Sequence, residues 1–246
     1  MPTSLYYVRP DENRLYGAAV ADTAGTTDST YTNDWLCDGR MGHPAKATNG
    51  TVTWTATFTS GSISLVAVCG TNSNVNATIS GTVSGSVVAG TLQPNGIRLN
   101  GFATFTPTSG TTLGVGFSGA SAAVVVGEVI AGPYRTLTRP VYSSDKTEID
   151  DNAPTRAMDQ SFLSPYDDGI VQRTWSGTFI VTTAERDNII DWYLAQRGGT
   201  RPSLVVPLST VNDAWVCFLQ KPSFQPVSGT HWSVQLTIVE VPRVRW

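Results

Sequence analysis

Charge is scarce in this chain: Asp, Glu, Lys and Arg together make up 14% of 246 residues, and the net charge is -3. That excludes a polybasic grip on nucleic acid, so no specific nucleic-acid partner is expected. Histidine is scarcer still, with His43 and His231 alone, which leaves little for metal or triad chemistry. Three cysteines, Cys37, Cys69 and Cys217, are too few and too scattered for a disulfide scaffold or a zinc site. They fit small buried thiols in a reducing compartment. No apolar run approaches the ~18–20 residues of a membrane helix, so membrane insertion is not expected. The opening stretch 1–10 lacks a basic region followed by an apolar block, so a secretory signal is not expected either. The glycine-rich segment Gly110 to Gly119 lacks the lysine and the following helix of a phosphate loop. No cofactor is implied.

What is there is apolar and aromatic: 40% hydrophobic residues with seven Trp exclude a disordered chain. The two halves differ. Residues 1–132 hold 5 basic and 7 acidic side chains, and residues 133–246 hold 11 and 12 on a shorter stretch. Five of the seven Trp lie in the second half. This shift suggests two domains, 1–142 and 160–246, joined by a polar linker over 143–159.

The first half reads as strands. Val52, Trp54, Ala56 and Phe58 alternate with threonines, a period of two with one apolar face. Ser60-Gly61-Ser62 punctuates the run. Ile63 to Cys69 is then nearly continuous in apolar residues, as expected of a strand covered on both faces. Further short strands are expected over Asn76 to Val88, Gly101 to Thr106, Leu113 to Phe117 and Ala122 to Ile130, the last broken at Gly127. Short strands with frequent turn signals imply a sandwich or jelly roll. The second half carries the one strong helix signal. Thr182-Thr183-Ala184-Glu185 is a capping box. Ile189, Ile190, Tyr193 and Leu194 follow as an apolar stripe, and Gly198-Gly199 offers the stop. A helix over about 183–197 is expected between strands at Ile170 to Val181, Ser203 to Val206, Ala214 to Gln220 and Trp232 to Val241. The fold class is mainly β: an N-terminal β-sandwich or jelly roll, then a β-sandwich or roll with one inserted α-helix.

Two resemblances sharpen this. Ser164-Pro165-Tyr166-Asp167-Asp168-Gly169-Ile170-Val171-Gln172-Arg173, the strand Trp175 to Val181, the Thr-Ala-Glu helix start and Tyr193-Leu194-Ala195-Gln196-Arg197-Gly198-Gly199 together resemble tailed-phage minor tail proteins of the lambda M type. The leading aromatic of that family's opening motif is missing here, and Asp167-Asp168-Gly169 stands for its Gly-Asp-Gly. In the first half, Asp34-Trp35-Leu36-Cys37-Asp38-Gly39-Arg40-Met41-Gly42-His43-Pro44-Ala45-Lys46 resembles the opening of galactose-binding-like jelly rolls in phage tail proteins. Val126 to Pro133 is similar to the segment that ends that module. The resemblance implies a virion protein at the distal end of a phage tail, assembled in the host cytoplasm. Its implied partners are tail tube, tape-measure protein and hub, and copies of itself in a ring of three or six.

Candidate residues are weighed within that frame. Trp35, Arg40 and His43 are the candidate glycan contacts, since aromatic faces and fork-shaped donors suit sugars. Trp54 is expected in the core instead. Asp34 and Asp38 flank a loop that in the resembled module sometimes holds calcium; turn and cap roles are the simpler expectation, and no metal site is assigned. His43 and His231 are expected in loop or packing roles, and Asp167 and Asp168 in a turn. Arg243, Arg245 and Trp246, beyond the last strand, are candidate subunit contacts, or else an edge folding back on its own domain. The leading expectation is a non-catalytic, ring-forming tail-tip component. The alternative is a host-surface glycan-binding module with a C-terminal anchor, marked by an exposed aromatic–Arg–Asp cluster at one end of the jelly roll.

Overall fold

A computed structural model of the chain describes residues 4–40, 43–88, 99–138, 140–143, 147–150, 155–156, 162–163, 171–196, 201–207 and 214–241, without the side chains of 138–173. In chain order its strands are β1 (Ser4–Val8), β2 (Ala19–Ala24), β3 (Ala45–Lys46), β4 (Val52–Thr71), β5 (Ala77–Gly81), β6 (Gly85–Val87), β7 (Leu99–Phe117), β8 (Val125–Val126), β9 (Glu128–Gly132) and β10 (Arg135–Thr138). There follow β11 (Pro140–Ser143), β12 (Thr147–Asp150), β13 (Thr155–Arg156), β14 (Phe162–Leu163), β15 (Val171–Thr182), β16 (Ser203–Val206), β17 (Trp215–Leu219), β18 (Ser223–Pro226) and β19 (His231–Glu240). The α-helix α1 (Thr183–Ala195) lies between β15 and β16. The protein is thus mainly β, with one α-helix inserted among the strands of the second half.

The first sheet has six strands in the order β2-β4-β7-β5-β6, with β9 also on β4. Val52, Trp54, Ala56 and Phe58 all point into its core, as their alternation requires. The 3-10 helix Asn33–Cys37 and the two-stranded β3-β8 sheet contribute Leu36, Cys37, Ala45 and Val126 to the same core. Ser60-Gly61-Ser62 does not end a strand. β4 runs through it with register shifts between Thr57 and Gly61 and between Ile63 and Leu65. A bulge bends a strand without terminating its ladder, which is why the two expected strands are one. The same holds opposite. β7 joins the segments expected apart, and Pro107, which has no amide to donate, falls where the ladder skips from Thr108 to Thr104.

The second sheet has nine strands, ordered β10-β1-β16-β17-β19-β15-β11, with β12 on β15 and β18 on β19. It draws strands from both sides of the expected division at 142/143, and β1 at the start of the chain lies inside it. The helix capping box is present in full: Thr182 Oγ1 accepts from the Glu185 amide, and Glu185 accepts from the Thr182 amide. The helix buries Ile189 and Trp192 against the sheet. Ile190 and Leu194 are not on that face, and Leu194 is 63% exposed, which corrects the expected stripe. The decisive contacts are polar as well as apolar. Trp192 Nε1 donates to Ser203 Oγ at 2.6 Å, Gln196 Nε2 donates to the same oxygen at 2.9 Å, and the Leu219 amide donates to Gln196 Oε1 at 3.0 Å. These bonds fix the 189–192–196 face toward β16 and β17.

The two sheets share a third apolar cluster. Leu65, Ala67 and Cys69 of β4 meet Val8, Leu204, Val206 and Val216 of the second sheet. Ile63, Val66 and Val68 of the same strand face the first core. So the continuous run in β4 is covered on both faces, as read from sequence. Asn100 bridges the sheets: it accepts from the Gly70 amide at 2.7 Å and donates to the Ala214 carbonyl at 2.9 Å.

Candidate functional site

The segment 22–46 builds a small aromatic and charged surface from the bottom up. Its base is Asp22, whose carboxylate accepts from the Thr27 amide at 2.8 Å, Thr27 Oγ1 at 2.6 Å and Asn33 Nδ2 at 2.9 Å. Burial alone would raise the Asp22 pKa, but these donors outweigh it and hold the group below its ordinary value. Trp54 Nε1 donates to Thr27 Oγ1 at 2.7 Å, so the loop is also tied to the core. The 3-10 helix then buries Leu36 and Cys37 and leaves Trp35 half-buried.

A tight turn follows. The Arg40 amide donates to Asp38 Oδ1 at 2.7 Å, and Gly39 sits at φ +77 with Tyr16 Cε2 only 2.8 Å from where a Cβ would stand. Only glycine meets both conditions. The Gly39 amide donates to Glu128, 3.1 Å from Oε2 and 3.3 Å from Oε1. Burial, with the Asp38 charge adding to it, pushes the Glu128 pKa well above the carboxylate range, against the opposing Gly39 and Arg40 amides. Glu128 therefore anchors the turn from beneath while Asp38 shapes it from within.

On this frame the rings line up. Tyr31 and Trp35 meet edge to face at 6.3 Å, and Trp35 and His43 meet at 5.2 Å with planes inclined by 38°. His43 Nδ1 lies 3.2 Å from Asp38 Oδ2. At the other end Lys46 Nζ stands 5.2 Å from the Tyr31 ring centre and 4.0 Å from Asp28 Oδ2. Apolar ring faces bounded by oriented donors and acceptors are what a small polar ligand requires.

Of the sequence candidates, Trp35 and His43 come together, with Asp38 between backbone and imidazole. Arg40 is exposed, and its guanidinium makes no hydrogen bond or ion pair among the described residues. Trp54 is 1% exposed and lies in the core, as expected. Asp34 is exposed, and Asp38 acts as a turn residue. Among the described residues no three His, Cys, Asp or Glu side chains are grouped to hold a metal. His231 is exposed at the first position of β19, with Nδ1 3.0 Å from Thr230 Oγ1. Arg243, Arg245, Trp246, Asp167 and Asp168 lie outside the described residues. Tyr31 and Lys46 were not foreseen. Their signal was present in part, since Tyr31 is an aromatic four residues before Trp35 and Lys46 ends the jelly-roll motif.

No family model and no curated protein matches the chain. Solved structures with a similar course include chitosan-binding module 1 of a chitosanase/glucanase from Paenibacillus sp. IK-5, at 11% identity and TM-score 0.40, covering 50% of this chain and 98% of that one. Module 2 of the same enzyme, solved with chitotriose, has 16% identity and TM-score 0.39, covering 49% and 100%. The lectin domain of lectinolysin, solved with Lewis B antigen, has 13% identity and TM-score 0.39, covering 49% and 95%.

Proposed function

We propose that this chain is a non-catalytic glycan-binding protein, with the Tyr31–Trp35–His43 row as its ligand face and the second sheet as its mount. The observation that carries the reading is the row itself: three rings in sequence, flanked by Asp38 at one end and Lys46 at the other. Trp35 supplies a flat apolar surface for a sugar ring. His43, Asp38 and the exposed Arg40 supply donors and acceptors for hydroxyls. The phage resemblance, which rests on sequence motifs alone, implies a ligand on a host surface and a protein of the distal tail.

A binding screen of the intact chain on an immobilised glycan panel tests this. At least one glycan should be retained, and Trp35→Ala should weaken it at least about tenfold, or roughly 1.4 kcal/mol. Retention unchanged by Trp35→Ala, or no retention of any glycan by the intact chain, overturns the reading. The tail-tip ring, joining tail tube to hub, is the second reading. One observation favours it: strand, capped helix, short strand, strand 215–219 and, after the added β18, last strand come in the order that the lambda M resemblance implies. A map of assembled tails that counts copies of this chain at the tip tests it.

A further inference from the structure

A second concave site shares no lining residue with the aromatic row. It is an open cleft of about 490 Å³ between the segment 13–18 and the bulged part of β4. That volume falls in the range of about 300–1,000 Å³ usual for small-molecule clefts. Its wall on the β4 side is hydroxylic, with Thr57, Thr59 and Ser60 all exposed. Tyr16, 46% exposed, forms part of the other wall. Asn13 is occupied structurally, since its Oδ1 accepts from the Leu15 and Ala131 amides.

Arg14 distinguishes this cleft. It is half-buried and, among the described residues, is the one charged side chain in the lining. Its Nε is shielded from solvent and has no hydrogen-bond partner, and its guanidinium makes no ion pair among the described residues. The chain makes room for it. A Cβ at Gly61 would stand 2.6 Å from Arg14 Nε and 2.7 Å from Cδ, so the bulge glycine seats the arginine against the strand. On Tyr16 itself a second arginine is seated, with Arg201 Cζ 5.0 Å from the ring centre. A partly desolvated cation without a carboxylate partner gains most from an external anion.

We propose that this cleft binds a sugar unit bearing a carboxylate, with the carboxylate on the Arg14 guanidinium and the hydroxyls on Thr57, Thr59 and Ser60. None of its lining residues belongs to the Tyr31–Trp35–His43 row, so the inference stands whether or not that row binds glycan.

The test is calorimetric titration of the intact chain with methyl glucuronide, with methyl glucoside as the neutral twin, and with sodium acetate as the bare anion. The glucuronide should bind at least about tenfold more tightly than either, the gain expected of one charge-assisted contact. Arg14→Gln should abolish that preference, and Trp35→Ala should leave it unchanged. Should Arg14→Gln fail to fold, Thr57→Val at an exposed position should still weaken the glucuronide severalfold. Equal binding of glucuronide and glucoside, acetate binding as tightly as the glucuronide, a preference that survives Arg14→Gln in a folded variant, or no binding of the glucuronide overturns the proposal.

Discussion

The first sheet takes its strands from one stretch of chain, residues 19–132, whereas the second takes β1 from residues 4–8 and β19 from residues 231–240. Both bury apolar side chains on alternating strands, and both have a run covered on two faces. In the first sheet that run is Ile63 to Cys69; in the second it is Ser203 to Val206, with Val205 toward the helix and Leu204 and Val206 toward the first sheet. The difference is one of chain closure. A contiguous sheet needs only local turns, while a sheet stitched from both ends depends on a strand whose partners are more than a hundred residues away. Loop-closure entropy makes such a strand the costlier one to place.

The sharpest way to break this comparison is Leu5→Asp. Leu5 is 1% exposed, and β1 lies between the edge strand β10 and β16, so the substitution buries an unpaired carboxylate in the core of the stitched sheet. The expected loss is about 4 kcal/mol or more in urea unfolding. Hydrogen exchange should show β15 and β19 amides losing protection ahead of those of β4 and β7. A loss of under about 1 kcal/mol, or equal deprotection of both sheets, would mean that the stitched sheet stands without its first strand.

A smaller effect comes from titrating the same strand. Tyr7 stacks on Trp192 with ring centres 4.2 Å apart, and burial pushes its hydroxyl from 10.0 up to about 12. The Arg135 charge opposes this shift and the Glu12 charge adds to it. Below pH 10 the hydroxyl is protonated in both folded and unfolded chains. Between pH 10 and about 12 the unfolded chain releases the proton that the folded chain still holds, so stability falls as pH rises. The slope approaches about 1.4 kcal/mol per pH unit. Tyr7→Phe should lack that component, so its unfolding free energy should fall less steeply from pH 9 to 11. Parallel curves for the two proteins would show that solvent reaches the hydroxyl.

These contrasts mark what was legible. The alternation of Val52 to Phe58 and the continuous run of Ile63 to Cys69 announced one core and then two, because period two is a local property. The Thr182–Glu185 box was equally plain, since both partners lie within four residues. β1 was not legible. Leu5 to Val8 reads as a short apolar stretch, and nothing nearby in sequence marks Leu204 to Val206 as its neighbour. The bulges at Thr57 and Ile63 were hidden because Gly and Ser read the same whether a chain turns or only bends. At the candidate site, Trp35 and His43 stood out by residue type. Glu128 was quoted only as part of a closing motif, and its role under Gly39 is a contact across 89 positions.

The smallest expected effect concerns the helix, where sequence and structure choose different faces. Ile189, Ile190, Tyr193 and Leu194 form a stripe by spacing, but Ile189 and Trp192 are fully buried and Leu194 is 63% exposed. At roughly 100° per residue, Leu194 lies about 140° around the helix from Ile189, while Gln196 returns to within about 20° of it. The polar bonds of Trp192 and Gln196 to Ser203 and Leu219 therefore select the face that apolar spacing left undecided. Leu194→Asp should cost no more than about 0.5 kcal/mol, the ordinary range for a surface change. What loss there is should come from placing a negative charge in the last turn, where the helix dipole disfavours it. Adding salt should shrink it, because an exposed charge is screened. Ile189→Asp, five residues earlier on the same helix, is the reference that should abolish the cooperative melt. A Leu194→Asp variant that loses more than about 1.5 kcal/mol at any salt concentration would show that Leu194 is covered in solution, and the stripe read from spacing would then be the true buried face.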